Sequence, residues 1–78
     1  MPRLLGDKIR YLRTQRQMTQ VELAHLLGLA RQGYISNLEA GRKMPSLDIV
    51  VQIADLFGVT TDYLLRDIIP VEMVDTAG

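Results

Sequence analysis

The side chains able to do chemistry are few in kind. The chain holds no cysteine and one histidine, His25, so neither a thiolate nor a histidine-rich metal site can be built from it. Its carboxylates are scattered singly, with Asp55 falling on a helix face and Asp62 at a helix start. No nucleophile–base pair, paired-carboxylate pattern or Gly-rich phosphate loop occurs, so no enzyme, metal or cofactor is expected. What remains is recognition by hydrogen bonding. Arg31, Gln32, Ser36 and Asn37 stand close together, with Arg42 and Lys43 just beyond them. A side-chain amide offers donor and acceptor to a flat partner, a guanidinium offers paired donors, and adjacent cations attract a polyanion.

Charge points the same way. The formal net charge is zero, yet residues 1–43 carry eight bases against three acids, whereas residues 44–78 carry one base, Arg66, against six acids. One half of the chain is therefore suited to a polyanion and the other half faces away from it.

These residues need a scaffold, and the apolar spacing supplies one. At 78 residues, 47% of them apolar, the chain is long enough for one domain and near the lower limit for a self-sufficient core. Leu5, Ile9 and Leu12 recur at helical spacing, predicting a first helix over residues 5–17. Thr19-Gln20-Val21-Glu22 has the form of a capping box, opening a second helix over 20–28 with Leu23, Ala24 and Leu27 inward and Gly28 at its end. A third helix is predicted over 31–40 around Ile35 and Leu38, closed by Gly41. Ser46 caps a fourth over 47–57, with Leu47, Val50, Ile53, Ala54 and Phe57 inward. Thr60-Thr61-Asp62 opens a short fifth helix containing Tyr63, Leu64 and Leu65. Five helices with short connections imply an all-α domain over residues 1–66. Pro70 breaks the helical rhythm of the tail, 67–78, whose apolar content leaves three alternatives: packing on the domain, packing on a second subunit, or fraying. The N-terminus reaches charge and Gly too soon for a signal peptide, and no apolar run could span a bilayer, so the domain is expected to be soluble and intracellular, with no membrane partner.

The second and third helices, separated by a Gly-containing turn with small Ala24 where they cross, have the form of a helix-turn-helix. The runs Met18-Thr19-Gln20-Val21-Glu22-Leu23-Ala24-His25-Leu26-Leu27-Gly28, Tyr34-Ile35-Ser36-Asn37-Leu38-Glu39-Ala40-Gly41-Arg42-Lys43 and Pro45-Ser46-Leu47, with Ala54 to Leu65 after them, resemble the lambda-repressor-like, Cro-type (XRE) family of bacterial and phage transcriptional regulators. The resemblance covers about residues 5–65 and implies a compact five-helix DNA-binding domain acting as a homodimer on an inverted repeat. One departure stands out: Ile35 comes seven residues after Gly28, one more than the family's usual spacing. The extra residue falls within Leu29-Ala30-Arg31-Gln32, lengthening the turn or adding to the helix start.

With Ile35 inward, Gly33 and Asn37 point away from the core, Ser36 and Tyr34 flank that outer face, and Arg31 and Gln32 sit at the helix start. Gln32 and Asn37, then Arg31, are the expected base readers, an amide pairing with adenine and Arg with guanine, while Gly33 allows close backbone approach. Gln20, Arg42 and Lys43 are expected at phosphates. Tyr34 either donates to a phosphate or packs against the fourth helix. Arg13 and Glu39 match a family ion pair that bridges the first and third helices. His25 is expected to be solvated. Tyr63, Leu64, Leu65, Ile68, Ile69, Val71 and Met73 form the expected dimer interface. The leading reading is a sequence-specific, cytoplasmic and nucleoid-associated regulator of double-stranded DNA. A protein-interaction module such as an antitoxin, with an additional protein partner and DNA binding secondary, is the alternative suggested by Leu26 and the apolar tail.

Overall fold

The structure, a computed structural model, describes residues 2–77; Met1, where the reading of the N-terminus begins, and Gly78, the end of the tail, lie outside the described residues. Five helices follow in order: α1 (Leu5–Gln15), α2 (Gln20–Leu26), α3 (Gln32–Glu39), α4 (Leu47–Phe57) and α5 (Thr61–Leu65). All of their starts but that of α3 are held by side chains. Thr19 Oγ1 accepts the Glu22 backbone N–H at 3.0 Å while Glu22 Oε1 accepts that of Thr19 at 2.9 Å, completing the capping box of α2. Ser46 and Thr60 accept from Ile49 and Tyr63 at the starts of α4 and α5. The start of α1 is capped from far away: Asp67 accepts the backbone N–H groups of Arg3 at 2.8 Å and Leu4 at 3.0 Å.

Helix α4 has its expected bounds, whereas α1, α2 and α3 end short of theirs. Helix α1 stops at Gln15 because Gln17 takes a left-handed conformation, φ 54°. Helix α2 stops at Leu26, and Leu27–Arg31 joins it to α3 with Arg31 as the N-cap, so within Leu29–Gln32 only Gln32 is helical.

The core gathers Leu5, Ile9 and Leu12 of α1 with Leu23, Ala24, Ile35 and Leu38 of the helix pair. Val50, Ile53, Phe57, Tyr63 and Leu64 close it from the other side. Leu47 is not part of it: at 71% exposure it lies outside, and Ile49 takes the inward place. The buried stripe of α4 runs Ile49, Val50, Ile53, Ala54 and Phe57, which leaves Leu47 at its edge in the first turn. Where α1 crosses the end of α3, Gly6 is required by space: a Cβ there would lie 2.5 Å from the Leu38 carbonyl oxygen and 2.6 Å from that of Glu39.

The tail folds back on its own domain. Thr60 donates from its backbone to Asp75 and Ala77 to Gly58, each at 2.9 Å, beside an isolated bridge between Val59 and Thr76. The Tyr63 hydroxyl donates to the Val71 carbonyl. Segment 67–77 is thus continuous with the domain. Tyr63 and Leu64, expected at a dimer interface, are instead fully buried in the protomer's own core, where they cannot meet a second subunit. Among the described residues, no helix is long and apolar enough to cross a membrane.

Candidate nucleic-acid interface

Helix α3 turns Ile35 and Leu38 into the core and leaves a polar outer side. Gln32 and Gly33 are exposed on its first turn, with exposed Arg31 just before them. A Cβ built on Gly33 would meet nothing within 4 Å, so the backbone here is open to a partner. Ser36 and Asn37 are half-buried. Tyr34 is partly buried against the core, and the Lys43 ammonium sits over its ring, 4.9 Å from the centroid.

The end of α3 explains why Asn37 is half-covered. Gly41 takes φ 75°, a conformation glycine adopts without strain, and the chain closes α3 with paired bonds from Gly41 N–H to Leu38 O (3.2 Å) and from Arg42 N–H to Asn37 O (2.9 Å). This turn brings Arg42 back against Asn37. The Arg42 Nε–H then donates to Asn37 Oδ1 at 2.9 Å. Two residues expected to act separately are therefore joined.

A buried carboxylate anchors the other end of the site. Glu39, the last residue of α3, has a side chain with no exposure and accepts from Arg13 at 2.7 Å (Nε) and 3.0 Å (Nη2), a forked pair. Gln20 Nε2 at 3.2 Å and Arg10 Nε at 3.4 Å complete its shell. Burial alone would push the Glu39 carboxyl up, but the hydrogen bonds and charge of Arg13, with those of Gln20 and Arg10, hold it below the usual carboxylate range. The same contacts raise Arg13. One acceptor thus ties α1, the start of α2 and the end of α3 together, and Gln20, expected at a phosphate, has its amide nitrogen directed at Glu39. His25 is exposed on α2.

Several bases of the N-terminal half do not face a partner. Lys8 is fully buried and donates from Nζ to the carbonyls of Tyr63 and Arg66, capping the end of α5 beneath the Tyr63 ring, and burial pushes its ammonium below the usual lysine value. Arg16 donates to the carbonyls of Leu56 and Phe57 at 3.1 Å each, closing α4. Sequence reading missed both roles, as it did those of Gly6, Arg10 and Asp67. A signal existed for Lys8, which falls within the stripe of Leu5, Ile9 and Leu12. Of the bases in this half, Arg3, Arg10, Arg31, Arg42 and Lys43 are exposed and make no helix-closing contact of the Lys8 or Arg16 kind, the last three lying around and beyond α3.

Comparison with known proteins agrees with this geometry. Residues 9–64 match the family described as helix-turn-helix. The chain is 33% identical over 63 residues to the SPbeta prophage-derived HTH-type transcriptional regulator YonR of Bacillus subtilis, covering 81% of this chain and 57% of that one. It is 42% identical over 55 residues to an HTH-type transcriptional regulator of Methanocaldococcus jannaschii, covering 70% and 82%. It is also 33% identical over 64 residues to the cryptic phage CTXphi transcriptional repressor RstR of Vibrio cholerae, covering 82% and 57%. The chain spans little more than half the length of the first and last of these relatives.

Proposed function

The chain belongs to the helix-turn-helix family, in its lambda-repressor-like branch, and from that premise we propose that it is a sequence-specific regulator of transcription that binds double-stranded DNA as a homodimer on an inverted repeat. The observation that carries this reading is the outer side of α3: Arg31, Gln32 and Gly33 stand exposed opposite the buried Ile35 and Leu38, with Asn37 and the cations Arg42 and Lys43 beyond them. A helix so presented fits a major groove with its first turns against base edges. Gln32, Asn37 and Arg31 are the proposed readers, flanked by Gly33 and Ser36, and Gln20, Tyr34 and Lys43 grip phosphates, while Arg42 is held against Asn37. The site of action is the nucleoid in the cytoplasm, no chemical step is involved, and the relatives named as regulators and a repressor support the reading.

One module reads too few base pairs to discriminate within a genome. Two copies related by a two-fold axis place their α3 helices about 34–36 Å apart, one turn of DNA. The test is affinity for duplex DNA across a range of salt, followed by selection of bound sequences from a random pool. A slope of log affinity against log salt of several units and a symmetric consensus are expected. Val21 and Leu26 on α2, each more than half exposed, favour a second reading as a protein-interaction module. A flat salt response would favour that one instead.

A further inference from the structure

Resting on the DNA-binding reading above, we propose that Arg42 is a specificity-determining residue that sets which base Asn37 reads, and that the base is guanine. The inference begins with the turn that ends α3. In this turn the residue after the left-handed glycine lies against the residue four positions before that glycine, and an apolar contact commonly joins the two. Here those residues are Arg42 and Asn37, and the contact is polar. An arginine Nε carries a hydrogen and can only donate, so the Asn37 atom it meets at 2.9 Å is the amide oxygen. The backbone bond from Arg42 N–H to Asn37 O fixes the pair a second time.

The pairing changes what Asn37 can offer. A free amide would present oxygen and nitrogen together, the pattern that suits the N6 donor and N7 acceptor of adenine. With Oδ1 turned to the guanidinium, an adenine amino group brought there would face the N–H groups of Arg42. What the pair presents outward is Nδ2–H from Asn37 and the terminal N–H groups of Arg42, donors throughout. Guanine shows two acceptors, O6 and N7, in the major groove, whereas cytosine shows a donor and thymine one acceptor. The electropositive pair therefore selects guanine. Arg42 acts through Asn37 and does not serve as an independent grip on the backbone.

The experiment is selection from a random duplex pool with the full chain and with Arg42→Met and Asn37→Ala, each followed by affinity measurement against salt. The wild type should enrich guanine at one position per half-site, by roughly ten- to a hundredfold over adenine. Asn37→Ala should lose that preference, and Arg42→Met, its amide oxygen released, should move it towards adenine. Both positions lie at the surface end of α3, and retention of the consensus at other positions shows that the variants remain folded. Adenine at the Asn37-dependent position in the wild type overturns the inference. So does an Arg42→Met variant that loses about one unit of salt slope while keeping the same base preference, the result of a simple phosphate contact. If the wild type enriches no sequence at all, the DNA-binding reading fails and this inference falls with it.

Discussion

At the scale of single residues, Glu39 is where charge, burial and helix geometry meet. Its side chain is inaccessible and its strongest partner, Arg13, is nearly so, at 14% side-chain exposure. Removing one member of a buried pair strands the other's charge, at a cost of about 3–5 kcal/mol. Arg13→Met should fall at the lower end of that range, because Arg10 and Gln20 stay on the carboxylate, and chemical denaturation measures it. Replacing both partners by apolar residues of similar volume should cost much less. The pair also makes stability depend on pH. Glu39 is held below its unfolded value, so its contribution is complete above about pH 4.3 and is lost as pH falls through the folded value. The hydrogen bonds that lower Glu22 and Asp67 persist in a Glu39→Gln variant. The difference between wild type and Glu39→Gln in melting temperature against pH therefore isolates this one carboxylate: it should be widest near neutrality and shrink under acid. A constant difference would show that folding leaves this carboxyl's pKa unshifted, and one that widens under acid would show that it is raised. Arg13 and Glu39 were legible as a pair because their types match a family pattern. Arg10 and Gln20 were not legible as their companions, because a shell of three residues around one acceptor depends on where three helices cross.

At the scale of elements, the helix count, the capping box and the caps Ser46 and Thr60 could all be read from the sequence, since each is decided within a few residues of chain. The ends were less legible. Gln17 adopts a left-handed conformation that its residue type does not announce, and Asp67 caps α1 from the far end of the chain. Glycine spacing carries a similar division. Gly41 was readable as a helix end, yet Gly6 sits inside a helix where only the crossing with α3 explains it. Two alanine substitutions should therefore act with opposite sign. Gly6→Ala gains helix propensity but drives a methyl group into the carbonyls of Leu38 and Glu39. Overpacking of this kind costs about 1–3 kcal/mol, and the obstacle here is backbone, so a net loss is expected. Gly33→Ala meets open space and should stabilise the domain by about 0.5–1 kcal/mol. The same methyl group should weaken operator binding if the α3 backbone approaches DNA closely there. Thermal melts and operator titrations of the two variants give both comparisons.

At the scale of the whole molecule, the split of charge along the chain was visible at once, but its use was not. Lys8, Arg13 and Arg16 close helix ends or meet Glu39, leaving Arg3, Arg10 and the bases around α3 to face outward in the N-terminal half. The tail shows a similar limit: apolar content left packing on the domain, packing on a second subunit and fraying all open, and only the fold shows that it packs on its own domain. That placement decides how dimerisation must be tested. A chain ended at Arg66 would lose the Asp67 cap of α1 and the Val71 partner of Tyr63, so failure to dimerise would mean only that the domain was damaged. Of the residues proposed for the interface, Ile68 and Met73 are the most exposed, at 81% and 64%, and neither supports the core. Ile68→Asp combined with Met73→Asp should leave the melting temperature of the protomer close to that of the wild type while setting two like charges against their symmetry mates. In sedimentation equilibrium the wild type is expected to dimerise and the double variant to remain monomeric. On operator DNA the variant should fill the two half-sites independently, losing the gain in apparent affinity that linkage provides. Undiminished dimerisation would move the interface to another exposed apolar face, such as that where Met44, Leu47 and Val51 line the approach to and first turns of α4.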